Sequence, residues 1–329
     1  MSMTVTTAST GSTTSTLDIS GAWTALITPF RDGAIDEPAL RALVEMQIAG
    51  GIDGLVACGS TGETPTLTLD EYARIITIVV AQAADRVPVM AGTGTNDTAS
   101  TLDRTHIAQR AGASAALIVM PYYNRPTQEG LYQHIRYVAE RSDLPLVLYN
   151  VPGRTGSDIQ PATVARLALL ETVIGIKEAS GDVDRASEIV RRTDPAFAVL
   201  SGDDSLTLPI MSVGGRGVIS VVGNIVPRAM RDLTAAALAG DFTNARAIHH
   251  ELLDLCAAMF VETNPVPVKA AAELLGLATS EVRLPLVPLE ASSRQRVFEA
   301  LLACPHTADR VIHGEEAAWL RHAATGVAA

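Results

Sequence analysis

The stretch Val173-Ile-Gly-Ile-Lys-Glu-Ala-Ser180 is a short apolar run with a lysine near its end. A continuously apolar run of this length is typical of a strand that is covered on both faces. A charged ammonium is costly there, whereas desolvation can lower a lysine pKa and leave a neutral amine that attacks carbonyls. Alternatively, Lys177 extends from the strand end into solvent. The run alone leaves both interpretations open.

Similar runs recur along the chain and alternate with amphipathic segments of helical length. The predicted strands are 23–29, 53–58, 87–93, 115–120, 145–151, 173–180, 198–203 and 217–223, and the clearest predicted helices are 37–50, 69–84, 98–112, 127–141, 160–170 and 182–192. Eight βα repeats predict an α/β fold, a closed (β/α)8 TIM barrel with parallel strands. An open doubly wound sheet is the competing architecture, but it usually has fewer strands and a cofactor loop near its first turn.

The two ends of the chain lack this repeat. Twelve of the first twenty residues are Ser or Thr, which predicts a disordered tail over residues 1–20 without a secretory or transit signal. The barrel is predicted over 21–235 and is followed by a C-terminal helical appendage, rich in Ala and Leu, over 236–303. Residues 304–329 are predicted to form a tail with at most one short helix near 315–320.

Composition limits the class of partner. The 329 residues carry a net charge of −11, which argues against binding to nucleic acid or to an anionic membrane surface. No apolar stretch approaches the roughly 18 to 20 residues that span a bilayer. Cys58, Cys256 and Cys304 are odd in number and widely spaced, so no disulfide framework is predicted and a reducing cytoplasm fits. The predicted partner is a small molecule.

Cofactor motifs are incomplete. The seven histidines show no H-x-x-x-H or H-E-x-x-H spacing, which disfavours a metal-dependent aldolase. Gly92-Thr-Gly94 follows a strand but lacks the third glycine of a dinucleotide fingerprint. We therefore predict neither a metal nor an organic cofactor.

Polar residues are concentrated where the predicted strands end. In a (β/α) barrel the active site lies at the C-terminal ends of the strands. The residues that follow or close these strands, besides Lys177, are Gly59-Ser-Thr-Gly-Glu63, Tyr122-Tyr-Asn124, Tyr149, Arg154 and Gly202-Asp-Asp204. Their positions predict that several strands contribute to one site.

These residue types suit chemistry on a keto acid. A neutral lysine amine condenses with a keto acid to an iminium, and loss of an adjacent proton gives an enamine nucleophile. The hydroxyls of Tyr149 and Ser60 can move protons, although a tyrosine at a strand end often only packs. The Gly59–Gly62 loop can offer backbone N–H groups to a carboxylate. Alternatively, it only connects a strand to the following helix. Arg154 offers a planar fork to a second carboxylate, or forms a surface salt bridge.

Six segments together resemble one enzyme family. They are GSTGE at 59–63, PYYNRPTQEGLYQH at 121–134, YNVPGRTG at 149–156, GIKEASG at 175–181, SGDD at 201–204 and NPVPVK at 264–269. In this order they resemble the dihydrodipicolinate synthase family, over about residues 22–300. GSTGE with a lysine on the sixth strand is shared with the wider superfamily that includes N-acetylneuraminate lyase, whereas the two tyrosine-containing segments are far more specific.

The resemblance implies a class I condensation of pyruvate with L-aspartate-4-semialdehyde, the entry step of the diaminopimelate route to lysine. Lys177 would be the Schiff-base lysine, Tyr149 the central proton carrier and Thr61 a ligand of the pyruvate carboxylate. Ser60 stands where the family usually has threonine. Serine retains the hydroxyl that would pass protons to and from Tyr149, so activity should survive.

The resemblance also implies the remaining site residues and an assembly. Tyr123 would enter the relay from a neighbouring subunit of a homotetramer made of two tight dimers. Arg154 would hold the carboxylate of the semialdehyde. The backbone of Gly202 and Ile219 would line the pyruvate pocket.

Feedback-inhibited members bind lysine at the subunit interface, partly through histidine and glutamate side chains. The matching positions here carry Leu69, Tyr72 and Ser100, while Asn96 and Tyr122 are retained. We therefore expect weak or absent inhibition by L-lysine.

Two other functions stay open at this point. One is an aldolase for a different aldehyde, for which a polyhydroxy substrate would need neutral hydroxyl partners rather than Arg154. The other is a silent barrel that binds a keto acid without turnover. Intact Lys177, Tyr149 and Tyr123 argue against the silent barrel.

Overall fold

The computed structural model describes residues 17–311, and its centre is a closed barrel of eight parallel strands. Each strand pairs with its sequence neighbours, and the last strand pairs with the first. The predicted (β/α)8 barrel is therefore confirmed, and the competing prediction of an open sheet is wrong. The strands are β1 (Gly21–Ala25), β2 (Gly54–Ala57), β3 (Val89–Gly92), β4 (Ala115–Val119), β5 (Leu146–Asn150), β6 (Val173–Glu178), β7 (Ala198–Ser201) and β8 (Gly217–Ser220).

Helices connect the strands of the barrel, and further helices follow the last strand. They are α1 (Glu37–Ala49), α2 (Leu69–Ala83), α3 (Thr98–Arg110), α4 (Gln128–Ala139), α5 (Pro152–Thr155), α6 (Pro161–Leu167), α7 (Val183–Arg192), α8 (Thr207–Ser212), α9 (Pro227–Leu238), α10 (Phe242–Ala258), α11 (Val266–Leu274) and α12 (Ala291–Ala303). A short antiparallel hairpin, Phe30–Arg31 with Ala34–Ile35, precedes α1. None of the helices within residues 17–311 is both long and apolar enough to cross a membrane.

Side-chain caps explain where several of the helices begin. The Thr68 hydroxyl accepts from the Glu71 N–H, and Glu71 accepts from the Thr68 N–H in return, a capping box that starts α2. Asp97 and Thr127 accept the corresponding N–H bonds at the starts of α3 and α4. Caps of this kind orient each helix as it leaves the preceding βα loop.

The apolar core has two principal parts. Strand residues that face outward pack against the helices in one large cluster. A smaller cluster fills the barrel interior and includes Trp23, Met90, Leu200 and Ile219. Tyr149 belongs to this inner cluster, so its ring lies within the barrel.

The first strand differs most from its prediction, because it covers Gly21–Ala25 rather than 23–29. After Leu26, whose N–H donates to Val56 O, the chain leaves the sheet and finds other partners. The Ile27 N–H donates to Asn224 Oδ1 and the Thr28 hydroxyl to Gly62 O. An apolar run cannot reveal that its backbone bonds switch from a strand to distant side chains and loops.

The described ends of the chain are packed. Ile19, within the predicted N-terminal tail, is buried in the inner cluster, and Cys304 and Val311 are buried at the other end. The short helix predicted near 315–320 lies outside the described residues. The predicted division at residue 235 falls inside α9, and the domain limits stay a prediction.

Candidate active site

Lys177 and Tyr149 are ladder partners on β6 and β5. Lys177 is only 5% exposed, and its Nζ lies 4.5 Å from the centroid of the Tyr149 ring. Parallel pairing therefore brings the amine and the phenol to the same level of the barrel. The side chain of Lys177 does not extend into solvent, which was the alternative for this strand.

Gly202 follows β7 directly beside this lysine. A Cβ on Gly202 would lie 2.5 Å from the Ala179 Cβ and 3.0 Å from the Lys177 Cε. Its N–H donates to Glu178 O at 2.7 Å, which continues the ladder between β7 and β6. Glycine at this position therefore leaves room for the lysine side chain.

Two further carboxyl groups lie near Lys177. Burial raises the pKa of Asp203, and the charge of a protonated Lys177 opposes that rise. Burial likewise raises the pKa of Asp204, whose Oδ2 accepts from the N–H groups of Val221 and Val222 at 3.0 Å. The SGDD segment thus brings two acidic groups near the lysine. No role for these two groups was predicted from the sequence.

The Ser60–Thr61 loop forms a 3₁₀ turn over Ser60–Gly62, just after β2. The buried Thr61 hydroxyl accepts from Asn264 Nδ2 at 3.0 Å, and Gly62 O accepts from the Thr28 hydroxyl at 2.8 Å. Contacts from both sides fix the loop, while the Thr61 hydroxyl retains its proton for a ligand.

Arg154 lies at the rim, on the short helix α5. Its Nη2 donates to Asn264 O at 3.1 Å, and no carboxylate among residues 17–311 pairs with it. The surface salt bridge considered for Arg154 is thus absent from the described part of the chain. The side-chain amide of Asn264 donates to Thr61, and its backbone carbonyl accepts from Arg154. The NPVPVK segment stood out in the sequence, but this role of its first residue was not predicted.

A cavity of about 350 Å³, within the size range of small-molecule sites, adjoins these groups. Ser60, Tyr149, Arg154 and Asn264 line it. Lys177, Thr61 and Gly202 are not among the lining residues. Lys177 contacts the ring of Tyr149, Thr61 bonds Asn264, and Gly202 adjoins Lys177.

Ile219 and Tyr123 do not line the cavity either. Ile219 is fully buried in the inner barrel cluster and is not among the residues that line the cavity. Tyr123 does not line it either, because its side chain is 89% exposed. Of the predicted site residues outside the cavity, Tyr123 is thus the one that the single chain leaves in solvent.

A buried ion pair supports the Ser60–Thr61 loop from behind. Lys269 Nζ lies 2.5 Å from Glu63 Oε1, and both side chains are almost fully buried. Burial lowers the pKa of Lys269, and the Glu63 carboxylate opposes that fall. Glu63 Oε2 also accepts the Arg283 N–H at 3.0 Å. Helix α11 is thereby tied to the residue that follows the loop, a contact that sequence analysis missed.

We expect Lys269→Met to lower the free energy of unfolding by about 3–5 kcal/mol, because it leaves the Glu63 carboxylate buried and unpaired. The double variant Glu63→Gln/Lys269→Met should recover much of that loss. Denaturant titration measures both. The exposed pair Arg192–Glu188 provides the control, since Arg192→Met should cost at most about 1 kcal/mol. Equal losses in the single and double variants would contradict an unpaired charge.

Within residues 17–311 no three His, Cys, Asp or Glu side chains are grouped so that they could hold a metal ion. The expectation that the reaction needs neither a metal nor an organic cofactor stays a prediction.

A buried lysine at a strand end, beside a tyrosine and a hydroxyl-bearing loop, defines the class as a barrel lyase of the Schiff-base type. The chain belongs to the dihydrodipicolinate synthetase family, whose model matches residues 18–304.

Individual relatives agree with this assignment. A 4-hydroxy-tetrahydrodipicolinate synthase of Thermomicrobium roseum is 54% identical over 288 residues, which cover 88% of this chain and 95% of that protein. The enzyme of the same name from Syntrophus aciditrophicus is 50% identical over 277 residues, covering 84% and 95%. The crystal structure of dihydrodipicolinate synthase from Aquifex aeolicus matches with a TM-score of 0.86 at 46% identity, covering 88% of this chain and 99% of that one.

Proposed function

We propose that the chain condenses pyruvate with L-aspartate-4-semialdehyde to give 4-hydroxy-tetrahydrodipicolinate, the first committed step of the diaminopimelate and lysine pathway, in the cytoplasm. The observation that carries the proposal is the buried amine of Lys177 against the ring of Tyr149. Relatives that share half of the sequence carry the name of this synthase.

The proposed reaction begins with attack of Lys177 Nζ on C2 of pyruvate. The carbinolamine loses water to give an iminium, and loss of a C3 proton gives an enamine. The enamine carbon adds to the aldehyde of the second substrate. The amine of that substrate then closes the ring at C2 and displaces Lys177, which restores the free lysine.

Protons in these steps are assigned to a chain of hydroxyls. Tyr149 is next to the amine and lines the cavity, and Ser60 lines the same cavity. Tyr123 would complete the relay from a neighbouring subunit of a homotetramer. Its exposed ring supports this role, as does a backbone φ of 71°, which is costly for a non-glycine residue.

Carboxylate recognition is assigned to two places. The hydroxyl of Thr61 and the backbone of Gly202 and Ile219 would hold pyruvate. The guanidinium of Arg154, free of any carboxylate partner in the described chain, would hold the semialdehyde. Asn264 contacts both Thr61 and Arg154, which supports a fixed spacing between the two.

Borohydride reduction in the presence of pyruvate tests the proposed chemistry directly. Reduction converts the imine to a stable secondary amine, which peptide mass mapping locates. We expect the adduct on Lys177. An adduct on another lysine, or none, would remove the mechanism. Rates with L-aspartate-4-semialdehyde and with sugar aldehydes then separate the synthase from an aldolase, and a preference for a sugar aldehyde would reverse the assignment.

Arg154→Gln should raise KM for the semialdehyde by about ten- to hundredfold while leaving KM for pyruvate within about twofold, because a charge-assisted bidentate contact is lost at one substrate only. Steady-state kinetics with each substrate varied in turn measures both constants. Arg125→Gln is the matched control, since Arg125 is an exposed neighbour whose Nε donates to Gly156 O. Equal rises for both substrates would assign Arg154 to packing instead.

A further inference from the structure

The turn that carries Arg154 is closed by the hydroxyl of Thr155. Helix α5 has only four residues, too few to be stable through its own backbone bonds. The Thr155 side chain is almost fully buried, and its hydroxyl donates to Ser157 O at 2.8 Å, with Val151 O as a second acceptor at 3.1 Å. The same hydroxyl accepts from the Ser157 N–H at 3.1 Å. A single side chain therefore joins the backbone on both sides of Arg154.

The backbone of Thr155 contacts the loop of a second predicted site residue. Thr155 O accepts from the Tyr123 N–H at 3.2 Å. The φ of 71° at Tyr123 is costly, so this residue keeps its conformation only where its surroundings hold it. Two residues beyond Thr155, the Ser157 hydroxyl donates to Pro121 O. The turn that carries Arg154 and the loop that carries Tyr123 thus form one hydrogen-bonded unit.

Thr155 lines the cavity together with Arg154. Because the proton of its hydroxyl is used within the turn, the side chain has no donor left for a ligand. The guanidinium of Arg154 is held from the other side, where its Nη2 donates to Asn264 O at 3.1 Å. With the backbone anchored through Thr155 and the head anchored at Asn264, the arginine presents its remaining N–H groups at a defined place.

We propose that Thr155 is a positioning residue, which places the Arg154 guanidinium for the carboxylate of the semialdehyde. This role deepens the proposed function, and it rests on the assignment of Arg154 to that substrate. None of the hydrogen bonds that Thr155 makes with the described residues reaches Lys177 or the Ser60–Thr61 loop. Loss of the hydroxyl should therefore weaken recognition of the semialdehyde and leave the pyruvate side of the site intact.

Two substitutions of Thr155 separate the hydroxyl from the volume of the side chain. Thr155→Val removes the hydroxyl at nearly constant volume, whereas Thr155→Ser retains it. We expect Thr155→Val to raise KM for the semialdehyde by about five- to fiftyfold and to leave KM for pyruvate within about twofold, since a small displacement of a binding group is costly. Thr155→Ser should stay within about threefold of the wild type for both substrates. Steady-state kinetics with each substrate varied in turn measures these constants.

Thr234→Val is the matched control. Thr234 is fully buried on α9, and its hydroxyl donates to Met230 O, four residues back, just as the Thr155 hydroxyl reaches Val151 O. Thr234 does not line the cavity. This variant should lose a similar amount of stability, measured as a lower melting temperature, and keep both KM values. An equal rise in KM for the semialdehyde in both valine variants would assign the effect to general destabilisation and overturn the proposal.

A double variant shows whether Thr155 acts through Arg154. In an Arg154→Gln background, Thr155→Val should change KM for the semialdehyde by less than about twofold, because the group that it positions is gone. Multiplicative effects of the two substitutions, or an unchanged KM in Thr155→Val alone, would overturn the positioning role and leave the proposed function standing. An unchanged KM in Arg154→Gln alone would show that the proposed function misplaces the carboxylate, and the role of Thr155 would fail with it.

Discussion

Turnover of the Lys177→Met enzyme is expected to fall on the order of 10⁴- to 10⁶-fold, the scale on which removal of a covalent nucleophile acts. Methionine keeps the length of the side chain and has no amine to form the imine. The position is almost completely buried beside the Tyr149 ring, so a methionine packs there without exposing apolar surface. The fold should therefore survive, and the loss should lie in kcat.

Continuous assay of pyruvate consumption measures this loss, and borohydride trapping should yield no adduct. A melting temperature within a few degrees of the wild type separates chemistry from unfolding. Lys269 cannot replace the missing amine, because Glu63 holds its Nζ. Turnover within a hundredfold of the wild type would show that the reaction does not pass through a lysine imine.

Tyr149→Phe should slow turnover by about 10²- to 10⁴-fold, which is the usual value of a positioned proton transfer. Imine formation with pyruvate should remain detectable by trapping, because the amine of Lys177 is unchanged. The ring still fills its place in the inner barrel cluster. A loss of turnover with retained trapping would assign the phenol to proton transfer rather than to packing.

Tyr137→Phe provides a control for loss of a tyrosine hydroxyl. Tyr137 lies on α4, is 42% exposed and stacks under the Arg141 guanidinium, whose Cζ is 3.8 Å from the ring centroid. We expect wild-type rates for this variant. Near-normal turnover of Tyr149→Phe as well would return Tyr149 to a structural role.

Local patterns predicted the barrel because several of the strands are continuous apolar runs, as expected of strands that are covered on both faces. The run around Lys177 became β6 over Val173–Glu178, shorter than predicted but in the same place. The lysine was recognisable because a charge is rare in such a run. Its neighbour Tyr149 followed from the rule that barrel sites form where strands end.

The remaining contacts join residues that are far apart in the chain. Asn264 meets Thr61 across 203 positions, and Lys269 meets Glu63 across 206. No periodicity encodes such pairs. The one available signal was a lysine inside the otherwise apolar start of α11.

Asn264 is contributed by the helical segment beyond the barrel, yet it contacts both the group assigned to the keto acid and the group assigned to the aldehyde. The distance between Thr61 and Arg154 therefore depends on how the segment that carries Asn264 packs against the barrel. Exchange of the C-terminal helices between relatives should thus alter which aldehydes are accepted, even with every barrel residue left in place.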